Sequence, residues 1–331
     1  MKYVILGGVA AGTKAAAKLK RLDRRAEVKI FTKSRDISYA GCGLPYYIGG
    51  DIPTREELIV NSPAKYAGLT GAQVQTGCEA VAIDSAKKQV TIRPEQGDTF
   101  EEAYDKLIIA TGAAPFVPPV EGVALPGVFC VRTPDDAVAI REYAREHNCR
   151  RAVVCGAGFI GLEVAENLLA LKLEVTVIDA ASQIMPNAFD GEMAGYVKKQ
   201  LKAQGMRVLT SVSLKGIGGS GRAESVTTDN GTLPADLVIL AIGVRPATGF
   251  LEGSGIEMFK GTILVDKDLK TNLPDVYAVG DCAMVSNSLT GKGQWSAMGS
   301  TANLAARAMA KRLYGAGNGY GGCLGTGVVR L

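Results

Sequence analysis

The feature that most constrains the fold is a strand–turn–helix pattern that occurs twice in the chain. The first copy runs from the apolar stretch KYVIL (residues 2–6) through the glycine-containing turn GGVAAG (7–12) into an alanine-rich helix. The second copy is RAVVCGAGFIG (151–161), which leads into the helical stretch LEVAENLLALK. Each copy continues into another apolar strand, AEVKIFTK in the first and LEVTVIDA in the second. The repetition predicts two dinucleotide-binding domains built to one plan.

The two copies also close in the same way. The segment YDKLIIATGAAP (104–115) ends the first copy and ADLVILAIGVRP (235–246) ends the second, and short alternating stretches with turn residues precede each, at 95–98 and at 229–231. Such stretches are typical of antiparallel strands joined by tight turns. We therefore expect an α/β fold with two Rossmann-like domains, each combining a parallel sheet, helices and an antiparallel β-meander.

The second copy carries the full glycine pattern of a dinucleotide site. Gly156, Gly158 and Gly161 let the backbone turn tightly and approach a pyrophosphate, while the following helix offers free N–H groups and the positive end of its dipole. Asp179 ends the next strand, where a carboxylate can hold a ribose 2′-hydroxyl. Ordinary glycine turns are the alternative, but the strand, helix and acid together favour a dinucleotide. No arginine follows Asp179 to meet a 2′-phosphate, so NADH is favoured over NADPH.

The first copy departs from this pattern at two positions. Val9 replaces the middle glycine, and Thr32 stands at the strand end where an acid is usual. A later stretch, TNLPDVYAVGDCA (271–283), still supports a cofactor site, because Asp281 follows an apolar strand and a glycine and can accept a hydroxyl from a sugar-alcohol chain. A helix N-cap is the structural alternative for Asp281, and the two roles are compatible.

Composition narrows the class of protein. With 331 residues, of which 47% are hydrophobic, the chain can bury a core and divide into two domains. The net charge of +4, with no basic run among aromatic residues, gives no reason to expect nucleic acid as a partner. No apolar stretch is long enough for a signal peptide or a membrane span, so we expect no membrane association and a cytoplasmic location.

The spacing of the cysteines does not suggest a disulfide framework, and one cysteine is a candidate nucleophile. The seven cysteines show no CxxC pair and no metal-ligand spacing, so no metal site is expected. Cys42 lies alone in SYAGCGLPYYIGG (38–50), where Gly41 and Gly43 give the backbone freedom and Pro45 fits the first turn of a helix. A thiolate just before a helix can attack a disulfide to leave a mixed disulfide, or a peroxide to become a sulfenic acid. The other six cysteines are interpreted as small buried hydrophobes.

Four stretches, GGVAAG, SYAGCGLPYYIGG, GAGFIGLE and TNLPDVYAVGD, stand in the order found in the flavin-dependent pyridine nucleotide–disulfide oxidoreductases. Across essentially the whole chain, the sequence resembles the branch containing coenzyme A-disulfide reductases, NADH oxidases and persulfide or polysulfide reductases. CGLPYYIGG is similar to that branch rather than to the glutathione-reductase branch, which carries two cysteines separated by four residues. Tyr47 stands where that second cysteine would be, so Cys42 must act alone.

The resemblance implies FAD bound by residues 1–115 and 246–331, with an NAD(H)-binding domain inserted at 116–245. It implies that NADH reduces the flavin on one face and that Cys42 takes the electrons on the other. Gly7, Val9, Ala10, Ala11 and Gly12 would line the FAD pyrophosphate, Thr111 and Gly112 would pack beside the cofactor, and Asp281 would meet its ribityl chain. Further positions matched to the cofactors are Thr32, Lys33, Val81, Ala110, Arg132, Gly243, Gly280 and Ala297. Phe159, Ile160 and Glu163 match residues near the incoming nicotinamide.

The departure at Thr32 from the usual acid suggests that the adenosine ribose is held less firmly. Weaker retention of FAD is the hypothesis that follows. A stoichiometric flavin that survives extensive dialysis would argue against it.

The first helix carries a candidate site for the electron acceptor. Lys14, Lys18, Arg21 and Arg25 follow i, i+4, i+7, i+11 spacing and predict one basic stripe, with Leu19 and Leu22 on another face. A solvated helix face is the alternative. The resemblance favours a ligand, because Lys14, Lys18, Arg21 and also Ser38 match positions that contact coenzyme A, whose phosphates suit a line of cations.

Relatives that reduce oxygen or peroxide carry a histidine inside the first glycine loop, where this chain has Ala10. The single histidine, His147, lies in REYAREHNCRR, a charged stretch interpreted as a solvent-facing helix. Histidine is useful in catalysis only within reach of the chemistry, so a peroxidase is disfavoured.

The sequence therefore favours an enzyme that passes electrons from NADH through FAD to Cys42 and on to a small-molecule disulfide or persulfide, with a coenzyme A disulfide, persulfide or polysulfide as the expected acceptor. One alternative is an NADH oxidase that reduces oxygen. Another is a flavoprotein that passes electrons to a protein partner, or senses redox state, without using Cys42.

The chain stops at Leu331, in a stretch that resembles the first strand of another domain. Relatives continue there into a dimerisation domain that supplies tyrosines to the cysteine site. We expect the chain to be a fragment or a truncated form, and a homodimer only where that domain is present.

Overall fold

The structure is a computed structural model that describes residues 1–327. The strand predicted at the end of the chain falls on residues 328–331, outside the described residues.

Seven α-helices and 22 strands are found in the described part of the chain. The helices are α1 (Ala10–Leu22), α2 (Leu44–Gly49), α3 (Pro63–Thr70), α4 (Pro134–Glu146), α5 (Phe159–Ala170), α6 (Gly191–Ala203) and α7 (Gly299–Leu313). The strands are β1 (Lys2–Leu6), β2 (Glu27–Thr32), β3 (Gln73–Thr76), β4 (Cys78–Asp84), β5 (Gln89–Pro94), β6 (Phe100–Ala103), β7 (Lys106–Ile109), β8 (Ala113–Pro115), β9 (Val128–Phe129), β10 (Arg151–Cys155), β11 (Glu174–Asp179), β12 (Arg207–Thr210), β13 (Leu214–Gly218), β14 (Ser225–Thr228), β15 (Gly231–Pro234), β16 (Leu237–Leu240), β17 (Val244–Pro246), β18 (Met258–Phe259), β19 (Thr262–Leu264), β20 (Val276–Ala278), β21 (Ala283–Ser286) and β22 (Gly293–Trp295). Short 3₁₀ turns lie at Gly41–Gly43, Arg55–Leu58 and Gly249–Leu251.

Two compact units divide the chain. The outer unit comprises residues 1–39, 59–114 and 245–327, and the inserted unit comprises 40–58 and 115–244. The short segment 40–58, which contains Cys42, therefore belongs to the inserted unit. Which cofactor each unit holds stays a prediction.

The outer unit is built on a five-stranded parallel sheet with strand order β20-β7-β1-β2-β3. Side chains of β1 alternate between its two faces, since Tyr3 and Ile5 join one apolar cluster while Val4 and Leu6 join another. On the first face α1 packs against α7, and on the second the antiparallel meander β4-β5-β6 supplies Val90 and its neighbours. A four-stranded sheet, β18-β19-β21-β22, completes the unit.

The inserted unit repeats the plan. Its parallel sheet has the order β12-β11-β10-β16-β9, and an antiparallel meander β13-β14-β15 lies beside it. Val153 and Cys155 of β10 pack with Val226 of the meander and Leu240 of β16 in one buried cluster. The predicted fold class is thus confirmed: both units are Rossmann-like, with a parallel sheet, helices and a meander.

Local sequence sets where several helices begin and end. Thr133 and Asp136 form a capping box at the start of α4, and Ser62 caps α3 through the Lys65 N–H. Pro134 and Pro63 occupy the first turns, where no N–H is needed. No helix within residues 1–327 combines the length and apolar character needed to cross a bilayer.

Candidate cofactor loops and the Cys42 turn

The glycine turn of the outer unit lies between β1 and α1. Gly7 has φ +112°, and a Cβ there would lie 2.1 Å from the carbonyl oxygen of Ala110 after β7. A Cβ on Gly12 would lie 1.9 Å from Gly7 O, so α1 approaches the turn more closely than any side chain allows. Because the strand order reverses between β1 and β7, the turn sits at the switch point where such sheets bind ligands.

Two further segments of the outer unit meet this turn. Gly280, after β20, has φ +80°, and its Cβ would lie 2.9 Å from the Cβ of Ala11. The Thr111 hydroxyl is buried beside the Cys282 thiol but has no hydrogen-bond partner of proper geometry among residues 1–327. An orphaned buried hydroxyl beside a tight backbone cradle fits a site that a polar cofactor completes. The structure thus brings together the predicted positions at 7–12, 110–112 and 280.

Asp281 follows directly, and its carbonyl oxygen accepts a hydrogen bond from Trp295 Nε1 at 2.7 Å. The N-cap alternative for Asp281 is wrong, because the next helix, α7, begins only at Gly299 with Met298 as its N-cap. The chain instead enters β21.

The other outer-unit positions matched to the cofactors differ in their burial and in their contacts. Thr32 is buried, with its side chain 3.0 Å from where a Gly8 Cβ would lie, so at this strand end a small residue fits. Lys33 is exposed and pairs with Glu79 at 2.9 Å. Val81 lies at a β-bulge, where the β4–β5 register shifts between Ala80 and Ala82, and Ala297 is exposed just before α7. A β-bulge bends its strand and redirects the local side chains, and bulges are frequent next to active sites.

In the inserted unit the glycine pattern folds as the spacing predicts. Gly156 has φ +111° and its Cβ would lie 2.3 Å from Ala241 O, after β16, while a Cβ on Gly161 would lie 1.9 Å from Gly156 O. Gly158 is different, because its Cβ would meet nothing within 4 Å. It is the N-cap of the twelve-residue α5, whose first N–H groups have no partner in the helix. The open space beside Gly158 is where a pyrophosphate could approach.

Asp179 orders this loop. Its Oδ2 accepts the Ala157 N–H at 2.6 Å and its Oδ1 accepts the Ala181 N–H at 2.7 Å. The carboxylate therefore lies at the glycine turn, and its predicted role as a ribose acceptor stays a prediction. Gly243 follows β16 with φ +121°, a conformation that side chains rarely adopt. Arg132, matched to a cofactor contact, also lies in the inserted unit, where its N–H donates to Asp136 Oδ2 at 3.0 Å.

The first turn of α5 presents apolar groups to the outside. Phe159 and Ile160 are each 41% exposed, so both side chains are accessible at the start of this helix. Burial, and after it the neighbouring Glu166 carboxylate, raises the pKa of Glu163.

Cys42 lies in the 3₁₀ turn Gly41–Gly43 and is exposed. Gly41 beside it has open space around its Cβ position, whereas Gly43 is buried against Ile52 and Leu58. The turn runs directly into α2, which has only six residues. Tyr47, at the position of the absent second cysteine, is 9% exposed within this helix.

The other cysteines differ from Cys42. Cys78, Cys155, Cys282 and Cys323 are buried, as predicted, and burial raises the pKa of Cys155 to about 12. Cys130 and Cys149 are partly exposed, but burial raises the pKa of each thiol as well. A raised pKa keeps the thiols of Cys130, Cys149 and Cys155 protonated and unreactive near pH 7.

The basic stripe is shorter than predicted. Lys14, Lys18 and Arg21 lie on α1 and have no ion-pair partner among residues 1–327, but the helix ends at Leu22, so Arg25 lies beyond it. Leu19 is fully buried, whereas Leu22 is 37% exposed and does not join the buried face.

Ser38 belongs to the same unit and has φ +51°, with its N–H donating to Gly8 O at 2.9 Å. Its hydroxyl accepts from Asn61 Nδ2 at 3.4 Å. Ser38 is thus tied to the glycine turn through its backbone.

His147 is the C-cap of α4, exposed and stacked on Tyr143 with 4.0 Å between ring centroids. The interpretation as a solvent-facing residue is confirmed. Within residues 1–327 no group of three or more His, Cys, Asp or Glu side chains is arranged to hold a metal ion.

Two residues in contact with the Cys42 segment are not apparent from the sequence. Arg141 of α4 donates to Tyr47 O at 3.3 Å, and Asn167 of α5 lies against Gly49. Both contacts join positions far apart in the chain, and neither position stands in a motif.

The fold and these loops define a class: an oxidoreductase scaffold with two nucleotide-type units and a single exposed cysteine beside a short helix. The model of one family, described as pyridine nucleotide-disulphide oxidoreductase, matches residues 1–309. The chain belongs to this family.

Two curated relatives are similar to this chain over nearly all of its length. The chain is 36% identical over 315 residues to the NADH oxidase of Methanocaldococcus jannaschii, covering 95% of this chain and 70% of that protein. It is 34% identical over 331 residues to the NAD(P)H coenzyme A polysulfide/persulfide reductase of Pyrococcus horikoshii, covering 100% of this chain and 73% of that protein.

Solved structures share the fold. The reduced CoADR-RHD of Bacillus anthracis has a TM-score of 0.96 at 35% identity and covers 99% of this chain, and the NAD-dependent persulfide reductase of A. fulgidus has 0.94 at 35% and covers 97%. This chain spans 59% and 61% of those two chains. An engineered NADPH oxidase, a variant of the Lactobacillus brevis enzyme bound to NADPH, has a TM-score of 0.92 at 29% identity over 97% of this chain and 71% of that one.

Proposed function

We propose that this chain forms the cofactor-binding and cysteine-bearing part of an NADH-dependent flavoprotein that reduces a small disulfide or persulfide through Cys42. The observation that carries the proposal is the exposed, solitary Cys42 in its glycine-flanked turn, in a chain with two dinucleotide-type loops. The relatives named as persulfide and polysulfide reductases support it.

The residues present fit the two cofactors. In the outer unit, the cradle of Gly7 and Gly12, the orphaned Thr111 hydroxyl and Asp281 would hold FAD. In the inserted unit, the Gly158 opening would take the NADH pyrophosphate. FAD, when bound, supplies a carrier that accepts a hydride from NADH and returns two electrons to sulfur.

Cys42 would carry the sulfur chemistry. Its thiolate attacks one sulfur of a substrate disulfide RSSR, a Cys42–SR bond forms, the S–S bond breaks and one thiolate RS⁻ leaves. Two electrons then return Cys42 to the thiolate and release the second RS⁻. The net reaction is RSSR + NADH + H⁺ → 2 RSH + NAD⁺. A persulfide RSSH would give RSH and hydrogen sulfide by the same exchange.

Cys42→Ser tests this role. We expect NADH to reduce the bound flavin at an unchanged rate while disulfide and persulfide reduction is lost. Cys149→Ser is the matched control, because that thiol lies in the same unit and is partly exposed, and it should keep both reactions. Full disulfide reduction by Cys42→Ser would support the reading in which electrons pass to a protein partner.

Coenzyme A-linked acceptors are the proposed substrates. Lys14, Lys18 and Arg21 form a cationic row on α1 that has no ion-pair partner among residues 1–327 and suits a polyanion. The double variant Lys18→Ala/Arg21→Ala should raise KM for coenzyme A disulfide at least about tenfold and leave KM for a small polysulfide within about twofold. Arg24→Ala/Arg25→Ala removes the same charge just beyond the helix and should change neither. Equal effects on both substrates would contradict the substrate assignment.

NADH is the proposed donor rather than NADPH. The five substitutions of the NADPH-bound variant include a glycine, an aspartate 18 positions later, the adjacent alanine changed to arginine, and a proline 7 positions after the aspartate. Gly161, Asp179, Ala180 and Pro186 have that same spacing here. Asp179→Ala/Ala180→Arg should therefore shift the ratio of kcat/KM values toward NADPH by at least about tenfold. Asp179→Ala alone should weaken NADH without this gain, which separates loss of the loop contacts from recognition of the phosphate.

Oxygen reduction is the second candidate, favoured by the 36% identity to an NADH oxidase. Ala10 in the first glycine turn counts against the form that uses a histidine there. Oxygen uptake that accounts for all NADH consumed in the presence of excess disulfide, with one NADH per O2 if hydrogen peroxide is the product or two if water is, would select this candidate.

A further inference from the structure

The segment that carries Cys42 is fixed to two helices of the inserted unit. Helix α2 packs against α4 and α5, with Leu44, Tyr47 and Ile48 on its buried face. At the opposite end, Gly41 has nothing within 4 Å of its Cβ position and Cys42 is exposed. The exposed side of the turn therefore has no packing to hold it, and the turn is held from its other end, where Gly43 packs against Ile52 and Leu58 and the chain continues into α2.

Arg141 of α4 holds the carboxyl end of α2. Its Nη1 donates to Tyr47 O at 3.3 Å and to Pro53 O at 3.2 Å, so one guanidinium joins the last turn of the helix to the irregular stretch after it. The same guanidinium lies over the Tyr47 ring, 4.9 Å from its centroid. A cation at the end of a helix satisfies carbonyl groups that lack an intrahelical partner. Gly50, in the left-handed conformation, donates its N–H to Tyr46 O and Tyr47 O at 3.0 and 3.2 Å, completing this end.

Two other contacts also bear on how the Cys42 segment is held against α4 and α5. Gly49 allows α2 to approach α5, since its Cβ would lie 2.3 Å from Asn167 Oδ1. Arg55 pairs with Asp135 at 2.7 Å, but Asp135 is mostly exposed, and exposed pairs contribute little. Of these contacts, the Arg141 contact combines hydrogen bonds to two carbonyls with a ring contact, which a lysine cannot reproduce in full.

We propose that Arg141 is a positioning residue for Cys42, which sets the place of the cysteine turn on the inserted unit by clamping the carboxyl end of α2. The proposal rests on the proposed role of Cys42 in turnover. The hydrogen bonds and the ring contact of Arg141 go to Tyr47 and Pro53 at the carboxyl end of α2, so its effect on the thiol is transmitted through α2. The clamp holds the turn in the geometry that thiol–disulfide exchange at Cys42 requires. NADH binding at α5 does not depend on the clamp.

The test uses the purified protein with its cofactor and compares Arg141→Gln, Arg141→Lys and the control Arg145→Gln, which changes an exposed arginine one turn further along α4. Amide hydrogen exchange measures the clamp without turnover. In Arg141→Gln the Gly50 and Ile52 amides, both bonded to Tyr46 O, should exchange about tenfold faster, while α5 keeps its protection. The exchange rates of these amides in Arg141→Lys should lie between those in Arg141→Gln and those in the unmodified protein. In Arg145→Gln they should equal those in the unmodified protein.

Kinetics separates positioning from general stabilisation. In Arg141→Gln, kcat for disulfide reduction should fall about tenfold, with KM for NADH and the rate of flavin reduction changed less than about twofold. Unchanged exchange at 40–58 would overturn the proposal, and so would faster exchange spread over the whole chain in both Arg141 variants. Because exchange is read without substrate, a failure of the Cys42 assignment itself, seen as full activity in Cys42→Ser, is distinguishable from a failure of the clamp.

Discussion

At the scale of single residues, Gly7 and Gly158 occupy different environments: the backbone of its turn requires Gly7, whereas Gly158 has open space beside it. Alanine substitution distinguishes the two. Gly7 combines φ +112° with a Cβ position 2.1 Å from a backbone oxygen, so Gly7→Ala should lower the free energy of unfolding by at least about 2 kcal/mol. Gly158 has φ −84° and open space, so Gly158→Ala should leave stability within about 0.5 kcal/mol and raise KM for NADH about tenfold. Urea unfolding and steady-state kinetics measure the two effects.

Gly195→Ala is the control for this pair. Gly195 lies inside α6 with nothing within 4 Å, so alanine should stabilise the protein by about 0.5–1 kcal/mol through helix propensity, with KM unchanged. Loss of stability in Gly158→Ala comparable to that in Gly7→Ala would mean that the space beside Gly158 is not a ligand opening.

The same residues show what a sequence can and cannot predict. The glycine turns and Asp179 were predictable because turn chemistry is local and repeats with fixed spacing. The end of α1 was not, because it depends on Asp23 adopting an extended conformation and on Lys20 Nζ binding Arg24 O and Ala26 O at 2.8 and 2.9 Å. The Arg141 clamp had no sequence signal, since Tyr47 and Arg141 meet only once α2 and α4 have packed.

At the scale of elements, one carboxylate ties the meander of the outer unit to its parallel sheet. Asp275, just before β20, pairs with Lys88 at 2.6 Å and with Lys106 of β7 at 2.9 Å, and these two lysines lower the pKa of its carboxyl to about 2. Because the pKa in the folded state lies below the usual 3.8, the stabilisation is complete above that value and is lost as the pH falls toward 2. Asp275→Asn should thus cost about 1 kcal/mol at pH 7, after allowance for solvent screening, and almost nothing at pH 2.

Asparagine is a suitable replacement because Asp275 has φ +60°, a conformation that asparagine tolerates, so the change tests charge rather than backbone strain. Urea midpoints at a series of pH values, compared with those of Asp84→Asn at an exposed i,i+3 pair, measure the effect. A cost that stayed constant down to pH 2 would assign it to shape instead of charge.

At the scale of the whole molecule, the chain uses one architectural plan twice, and the difference between the copies lies in their loops. The outer copy has a buried Thr32 at the strand end that carries an acid in the inserted copy, where Asp179 accepts two backbone N–H groups. Gly280 and Thr111, contributed by later parts of the sheet, lie beside the outer loop. Both loops therefore depend on segments beyond their own strand: the outer loop on 110–112 and 280, and the inserted loop on Asp179 of β11 and on Ala241 after β16.

Protection of backbone amides by each added cofactor can therefore show which unit binds FAD and which binds NAD⁺. FAD added to flavin-depleted protein should slow amide exchange at 7–12, 110–112 and 280–281 together, because these segments form one cradle, and should leave 156–161 unchanged. NAD⁺ should protect 156–161, 179–182 and the segment around Gly243, and leave the outer segments unchanged. Protection of 156–161 by FAD, or of 7–12 by NAD⁺, would reverse the proposed cofactor assignment. If the Thr32 hypothesis is right, protection by FAD should also fade on dialysis faster than for Thr32→Glu, in which a carboxylate stands where the ribose is expected.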